Sequence, residues 1–204
     1  MIYLLGASGH AKVIIEILEL QGKAIGGLYD QNPEIKFLIG YPVKIYTTEI
    51  LTKRKHNLLI TVGSNTIRKR LALENNCNYV LAIHPNSYIS KRALILDGTV
   101  VMAGVCINAD TRIGFHCIIN TNASIDHDCC LEDYVHISPN AVLAGNVLVK
   151  EGAHIGIGAS VIQGVIIGRW STIGAGAVII KDIPDFAVVV GNPGKVIKFN
   201  EENT

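Results

Sequence analysis

The sequence is poor in aromatic residues and has no excess of charge of either sign. Aromatic side chains make up 6% of the 204 residues, although 49% of the residues are hydrophobic. The 18 Lys and Arg side chains are balanced by 17 Asp and Glu side chains. This balance gives no reason to expect nucleic acid or an acidic membrane as a partner. No apolar run reaches the length of a transmembrane helix, so we expect no membrane span.

Cysteines are also few, and their spacing excludes the common cysteine-based sites. The five cysteines form no C-x-x-C pair, and an odd number argues against a disulfide framework. The first residues contain neither a basic segment nor a cleavage site, so we expect no signal peptide and a cytoplasmic protein.

What the sequence does have is a strict period of six. Every sixth residue from Ile83 to Ile179 is Ile, Leu or Val, and the residue four places after each of these, from Ser87 to Ala177, is small. This period predicts a parallel β-helix built from hexapeptide repeats, because neither an α-helix nor an alternating strand would hold one phase for so long. Three hexads would form one triangular coil. Residues eighteen apart would then be neighbours on stacked coils, about 4.8 Å apart.

The position three after each aliphatic residue is predicted to be a corner of the prism. Corners need backbone angles that Gly, Asn and Asp tolerate best, and these types occupy most corner positions. Trp170 interrupts the series. We expect its side chain to pack against neighbouring residues, close to the groove in which a co-substrate would lie. Cys117 and Cys129 fall in the small inward column, where we expect them to act as compact apolar side chains.

The first 80 residues have a different pattern, in which strands alternate with helices. A strand over Met1 to Leu5 leads through a glycine turn into an amphipathic helix. A second strand ends at Asp30, and a third ends just before Gly63 and Asn65. We therefore predict a small Rossmann-like α/β domain with a parallel sheet over residues 1–80, followed by the β-helix domain over residues 81–204.

The ends of these three strands should converge on one crevice. A helix that begins after the first turn would offer free N–H groups to an anion there. Because Gly63 and Asn65 follow the third strand at this crevice, we expect them to help bind a nucleotide. The next helix carries Arg68, Lys69 and Arg70, and such a run is more often a solvated helix face than a ligand contact.

Several motifs occur together with the repeat: Gly6-x-Ser8-Gly9-His10, Asn120, His127-Asp128, His136, Gly145-Asn146 and the tail Gly191-x-Pro193-x-Lys195. Their combination resembles the bacterial nucleotide-amino-sugar N-acetyltransferases that act on UDP-4-amino sugars of the bacillosamine type or on GDP-perosamine. The resemblance covers nearly the whole chain. It implies a left-handed β-helix, a homotrimer, and acetyl-CoA in the groove between neighbouring β-helices. It also implies that the first domain binds the nucleotide of the sugar substrate.

The resemblance also implies roles for individual residues. His127 matches the general base, and Asp128 matches an acidic partner that is Glu in the bacillosamine-type enzymes. The positions that shape the acceptor site or contact the acetyl group correspond to Asn120, His136 and Gly145. Those of the nucleotide site correspond to Gly9, His10 and Asp30. Acetyl-CoA is expected to run along the later coils and to meet Gly156, Gly174, Ala175, Lys181 and Lys195.

The residues themselves fit acetyl transfer to an amine. A His with a pKa of about 6.5 can accept the proton that the amine loses, and either Asp126 or Asp128 can orient it. Gly145 lies eighteen residues after His127, so its N–H is expected beside the imidazole, where it can stabilise an oxyanion. We expect direct transfer in a ternary complex without an acyl-enzyme, because Cys130, a possible nucleophile, lacks an evident activating base.

Other functions remain open at this level. The sialic acid O-acetyltransferases share the architecture, and a non-catalytic β-helix that binds a nucleotide sugar would carry the same front domain. His136 and His154 are eighteen apart, as stacked zinc ligands would be in a β-helix carbonic anhydrase. We expect no metal, because no third ligand is evident and those proteins lack a front domain. We interpret His116 as a surface residue.

Overall fold

A computed structural model of the chain describes residues 1–47, 57–75 and 77–201. It confirms the predicted fold class: a small α/β domain is followed by a parallel β-helix. Neither of the two helices in the described residues is long and apolar enough to cross a membrane.

In residues 1–47, 57–75 and 77–80 the α/β domain shows one sheet and two helices. Its elements are β1 (Ile2–Leu5), α1 (Gly9–Leu20), β2 (Ile25–Asp30), β3 (Phe37–Leu38), β4 (Tyr41–Ile45), β5 (Asn57–Ile60), α2 (Asn65–Glu74) and β6 (Asn78–Tyr79). The strand order is β3-β4-β2-β1-β5-β6. The sheet is parallel, as predicted, except for β3, which runs antiparallel to β4. Neither β3 nor β4 was predicted from the sequence: β3 has only two residues, and β4 contains Pro42, which is uncommon inside a strand.

The β-helix has three faces made of short strands. The first face holds β7 (Ala82–Ile83), β10 (Val100–Val101), β13 (Ile118–Ile119), β16 (His136–Ile137), β19 (His154–Ile155), β22 (Thr172–Ile173) and β24 (Ala187–Val190). The second holds β8 (Tyr88–Ile89), β11 (Cys106–Ile107), β14 (Ser124–Ile125), β17 (Val142–Leu143), β20 (Ser160–Val161) and β23 (Val178–Ile179). The third holds β9 (Leu94–Ile95), β12 (Arg112–Ile113), β15 (Cys130–Leu131), β18 (Leu148–Val149) and β21 (Ile166–Ile167). Strand β25 (Lys195–Phe199) pairs antiparallel with β24 and ends the first face.

The register follows the predicted step of eighteen residues. Ile119 pairs with Ile137, for example, which places one aliphatic side chain above the next. The aliphatic column is buried from Val101 to Ile179 and fills the prism. Cys117 and Cys129 are buried in the same core, which confirms that they point inward.

The corner positions form three edges, and the residues at these corners have positive φ angles. We call the edge with Gly98, His116, Tyr134, Gly152 and Trp170 the docking edge. The second edge carries Gly104, Asn122, Asn140, Gly158 and Gly176, and the third edge carries Asp110, Asp128, Asn146 and Gly164. The second face separates the second edge from the third edge, and the first face separates the docking edge from the second.

The α/β domain packs against the first face. Ile14 and Leu18 of α1 share a hydrophobic core with Val100 and Ile118 of that face. Two residues that we interpreted as solvent-exposed are buried at this contact: His116 is 5% exposed and Arg68 is 1% exposed. Both interpretations were wrong because the α/β domain covers the docking edge, a tertiary contact that hexad spacing cannot reveal.

Candidate active site

His127 lies on the third edge, next to a corner that Asp128 forms at φ 59. The Nδ1 atom of His127 is 2.7 Å from Oδ2 of Asp128. A carboxylate can only accept, so Nδ1 carries the ring proton and Nε2 is the free base. The imidazole is more than half exposed in the single chain. The structure therefore presents a basic nitrogen at the surface of this edge.

The second acid at this edge has a different position. Oδ1 of Asp126 accepts from the backbone N–H of His127 at 2.8 Å and from Nδ2 of Asn108 at 2.9 Å. Its Oδ2 lies 4.0 Å from Nε2 of His127. Asp128 thus fixes the orientation of the imidazole of His127, whereas Asp126 binds the backbone N–H of His127 and adds negative charge. Asn108 is a residue that sequence reasoning missed, and its position eighteen residues before Asp126 is the signal that could have found it.

The two acids shift the titration of the imidazole. The hydrogen bond that His127 donates to Asp128, followed by the charge of Asp126, raises the pKa of His127 above 6.5. The hydrogen bonds from Asn108 and from the backbone of His127 lower the pKa of Asp126. Asp126 therefore keeps its charge as the imidazole titrates.

Gly145 lies directly against the ring of His127. A Cβ atom added to Gly145 would be 2.7 Å from Cε1 and 2.8 Å from Nε2 of His127. In the described part of the chain the N–H of Gly145 donates to no other group. Gly145 therefore lies beside the imidazole, as the step of eighteen predicts, and its N–H has no acceptor among the described residues.

A second polar group lies where the first face meets the second edge. Oδ1 of Asn120 accepts from the N–H of Thr121 at 2.8 Å, and Nδ2 of Asn120 lies 3.2 Å from Nε2 of His136. The amide therefore donates to Nε2, and the proton of His136 sits on Nδ1. Burial, followed by the charge of His154 and other nearby cations, lowers the pKa of His136 to about 2. His136 is therefore a neutral, fixed side chain.

The rings of His136 and His154 stack at 4.6 Å with an angle of 5° between their planes. Nε2 of His154 is 2.8 Å from the hydroxyl of Ser138. The stacking places the two rings face to face and does not point their nitrogens at a common centre. No group of three or more His, Cys, Asp or Glu residues that could hold a metal ion occurs in residues 1–47, 57–75 and 77–201.

The predicted acetyl and acceptor residues are divided between two edges of one chain. His127 and Gly145 lie on the third edge, whereas Asn120 lies on the second edge with His136 beside it. The second face, with β14 and β17, stands between them. A single chain therefore does not bring the two groups together.

In the α/β domain, the ends of the strands do meet at one crevice. A cavity of about 170 Å³ is lined by Gly6, Asp30, Gln31, Arg70 and neighbouring apolar residues. Oδ2 of Asp30 accepts from the N–H of Ala7 at 2.6 Å, and Oδ1 accepts from the N–H of Asn32 at 2.9 Å. Asp30 thus fixes the glycine turn that forms one wall. Arg70 and Gln31 are wall residues that the strand pattern did not single out.

The other residues predicted to bind the nucleotide lie around the start of the two helices. Gly9 and His10 begin α1. Burial and the nearby charge of Arg68 lower the pKa of His10 to about 4, so this side chain is neutral. Gly63 precedes α2, and its carbonyl accepts from Arg68. Asn65 directs its Nδ2 to the carbonyls of Gly152 and Ala153, so its side chain contacts the β-helix.

The residues predicted to bind acetyl-CoA fall into two groups. Gly156 packs against Gly174 and Ala175 one coil further, and a Cβ atom added to it would be 2.5 to 2.8 Å from their backbone and from that of Ile173. Lys181 and Lys195 line one cavity of about 230 Å³, together with Pro193 and Gly194. The structure thus brings the two lysines together at the end of the β-helix.

Comparison with known proteins agrees with this architecture. The family described as PglD N-terminal domain matches residues 1–74, and the family described as bacterial transferase hexapeptide (six repeats) matches residues 110–145 and 146–181. A variant of perosamine N-acetyltransferase from Caulobacter crescentus, solved with CoA and GDP-perosamine, has a TM-score of 0.91 and 37% identity. That alignment covers 97% of this chain and 96% of the other.

Two further relatives are similar to this chain in fold or in sequence. The acetyltransferase domain of PglB from Neisseria gonorrhoeae, solved with acetyl coenzyme A, has a TM-score of 0.89 and 36% identity, over 96% of this chain and 98% of that one. UDP-N-acetylbacillosamine N-acetyltransferase from Bacillus subtilis is 42% identical over 110 residues, which are 49% of this chain and 50% of the relative. The chain spans half or less of the length of the curated relatives that it matches.

The likeness to the solved structures extends over the α/β domain and the β-helix alike. The chain therefore belongs to the family of left-handed β-helix, hexapeptide-repeat sugar N-acetyltransferases that carry a PglD-type N-terminal domain.

Proposed function

We propose that this protein transfers the acetyl group of acetyl-CoA to the 4-amino group of a 4-amino-4,6-dideoxy sugar linked to UDP or GDP. The observation that supports the proposal best is the pairing of His127 with Asp128 beside Gly145, whose N–H has no acceptor among the described residues. The proposed location is the cytoplasm, which would place the enzyme with its acetyl-CoA co-substrate.

In the proposed reaction the neutral amine attacks the carbonyl carbon of the thioester. A C–N bond forms, and the carbonyl oxygen becomes an oxyanion that the N–H of Gly145 can stabilise. Nε2 of His127 accepts the proton that the nitrogen loses, while Asp128 stabilises the imidazolium through Nδ1. The C–S bond then breaks, and the imidazolium returns the proton to the CoA thiolate. The product is the N-acetyl sugar, and no acyl-enzyme forms.

We further propose that the active site is completed between copies in a homotrimer. The division of the acetyl and acceptor residues between two edges supports this, because a neighbouring copy can bring its second edge to the third edge of this chain. Acetyl-CoA would lie along this seam, with Gly156, Gly174 and Ala175 beside the pantetheine. Lys181 and Lys195, which share a cavity, would meet the phosphates.

The nucleotide would bind in the crevice of the α/β domain. The cavity at the strand ends, the start of α1 and the carboxylate of Asp30 support this placement. Gly9, His10 and Gly63 remain the backbone and side-chain contacts that we propose for the nucleotide.

The test is acetyl transfer by the intact chain. We would incubate the protein with acetyl-CoA and a panel of UDP-, GDP- and dTDP-linked 4-amino sugars and measure the release of the CoA thiol. One acceptor should release thiol at a rate that His127→Ala lowers by about 10²- to 10⁴-fold. His84→Ala is the matched histidine control in the first coil, and it should keep the full rate. Full activity of His127→Ala would remove this residue from its proposed role.

A further inference from the structure

Helix α2 lies along the docking edge of the β-helix. Asn65, Arg68 and Lys69 are spaced so that they share one side of the helix. Nδ2 of Asn65 donates to the carbonyl of Gly152, and Nζ of Lys69 pairs with Glu151. The same Nζ atom lies 5.2 Å from the ring centre of Trp170. These contacts tie the α/β domain to two successive coils.

Arg68 makes the most extensive of these contacts. Its Nε donates to the carbonyl of His116 at 2.7 Å, and its Nη2 donates to that of Tyr134 at 2.8 Å. On the other side, Nη1 donates at 3.1 Å to the carbonyls of Val62 and Gly63. Nη2 also donates to Oδ1 of Asn65 at 2.9 Å.

All five N–H groups of the guanidinium are therefore used, and every acceptor is an uncharged oxygen. The side chain is 1% exposed. Burying a cation without a carboxylate is costly unless its donors are fully satisfied, and here the acceptors come from both domains. The planar fork of an arginine fits this arrangement, whereas a lysine has three donors on one nitrogen.

The docking edge is itself unusual in composition. His116, Tyr134 and Trp170 stand at corners with φ between 53° and 60°, where the other two edges have Gly, Asn or Asp. A large side chain is disfavoured in this conformation. Two of these corners are preceded one coil earlier by a glycine, and a Cβ atom there would collide with the ring: Gly98 beneath His116 and Gly152 beneath Trp170. The backbone strain is thus offset by packing at this edge, where the α/β domain docks.

Resting on the proposed function, we infer that Arg68 is a positioning residue: it fixes the nucleotide crevice relative to the β-helix, so that the bound sugar reaches the acetyl group. The carbonyls of Val62 and Gly63 belong to the segment between β5 and α2, and Val62 and Ile67 line the crevice. The carbonyls of His116 and Tyr134 belong to coils next to His136. The side chain of Arg68 therefore connects the nucleotide crevice to the coils of the β-helix that lie next to His136.

The experiment compares Arg68→Lys and Arg68→Met with Lys23→Met, which removes an exposed cation from the same domain. Steady-state kinetics would give kcat and the KM values for the nucleotide sugar and for acetyl-CoA. Calorimetry would give the Kd of the free nucleoside diphosphate. Hydrogen exchange of residues 65–74 would report docking of α2 without any substrate.

We expect Arg68→Met to lower kcat by about 10- to 100-fold, the loss typical of a misplaced substrate. The KM for acetyl-CoA and the Kd of the nucleoside diphosphate should stay within about twofold, because each ligand contacts one part of the protein. Exchange of α2 should become faster, Arg68→Lys should be intermediate, and Lys23→Met should match the parent. If Arg68→Met does not fold, the kcat and the exchange of α2 in Arg68→Lys test the inference instead.

Two results would overturn the inference. One is an unchanged kcat per folded molecule in the Arg68 variants, which would leave Arg68 with a role in stability alone. The other is unchanged exchange of α2. If the parent protein transfers no acetyl group to any acceptor, the proposed function fails. The exchange measurement would then still decide whether Arg68 fixes the domain.

Discussion

Replacing Gly145 with Ala tests the geometry at His127 most sharply. The new Cβ would lie 2.7 Å from Cε1 of His127, whereas ordinary contact begins at 3.4 Å, so the ring must move by at least about 0.7 Å. The φ angle of Gly145 is not positive, so alanine fits the backbone. The ring is half exposed and can turn into solvent. The variant should therefore fold, with a displaced imidazole.

A displacement of this size should lengthen the 2.7 Å bond from His127 to Asp128 and move Nε2 away from the substrate amine. Misplacement by about 1 Å can cost about 100-fold in rate, so we expect kcat of Gly145→Ala to fall by about 10- to 100-fold. The free energy of unfolding should change by less than about 1 kcal/mol, because removing a glycine also restricts the unfolded chain.

The assay is CoA release at saturating substrates, with Gln163→Ala as a control in the same column one coil further. A double variant with His127→Ala distinguishes the cause. If Gly145→Ala acts through the imidazole, adding it to His127→Ala should cause no further loss. A rate for Gly145→Ala within about twofold of the parent would show that the position of the imidazole does not limit the rate, and fully additive losses would show that Gly145 acts independently of His127.

Further predictions concern the acid pair and the repeat. Activity should be lost as the pH falls through the pKa of His127, which lies above 6.5; Asp128→Asn should move this acid limb of kcat/KM to lower pH, since it removes the main cause of the raised pKa. Ile137→Ala should lower the free energy of unfolding by about 2 to 5 kcal/mol in denaturant titrations. Asn140→Ala, at φ 57, should cost about 1 to 2 kcal/mol, whereas Asn140→Gly should be nearly neutral.

Much of the fold could be predicted because one physical requirement repeats along the chain. Each hexad must place an aliphatic side chain such as Ile137 inside the prism and turn at a corner such as Asn140. The same repeat predicts that Gly145 lies against His127, because one coil contains eighteen residues and the two residues are eighteen apart.

The contact between the domains could not be predicted in this way. Arg68 looks like any cation on a polar helix, and its acceptors are carbonyls 48 and 66 residues away. Backbone carbonyls carry no sequence signal. The available hint was the presence of His116 and Tyr134 at corners that otherwise favour small residues. Such a departure from local preference indicates that something else packs there.

Mass spectrometry of the sugar product after incubation with acetyl-CoA would show directly whether the enzyme acetylates a 4-amino sugar. We predict that one UDP- or GDP-linked 4-amino sugar gains a single acetyl group on nitrogen, with an equal amount of free CoA, and that His127→Ala forms about 10²- to 10⁴-fold less of both in the same time. Absence of an acetylated product with every acceptor, or equal product from His127→Ala, would contradict this prediction.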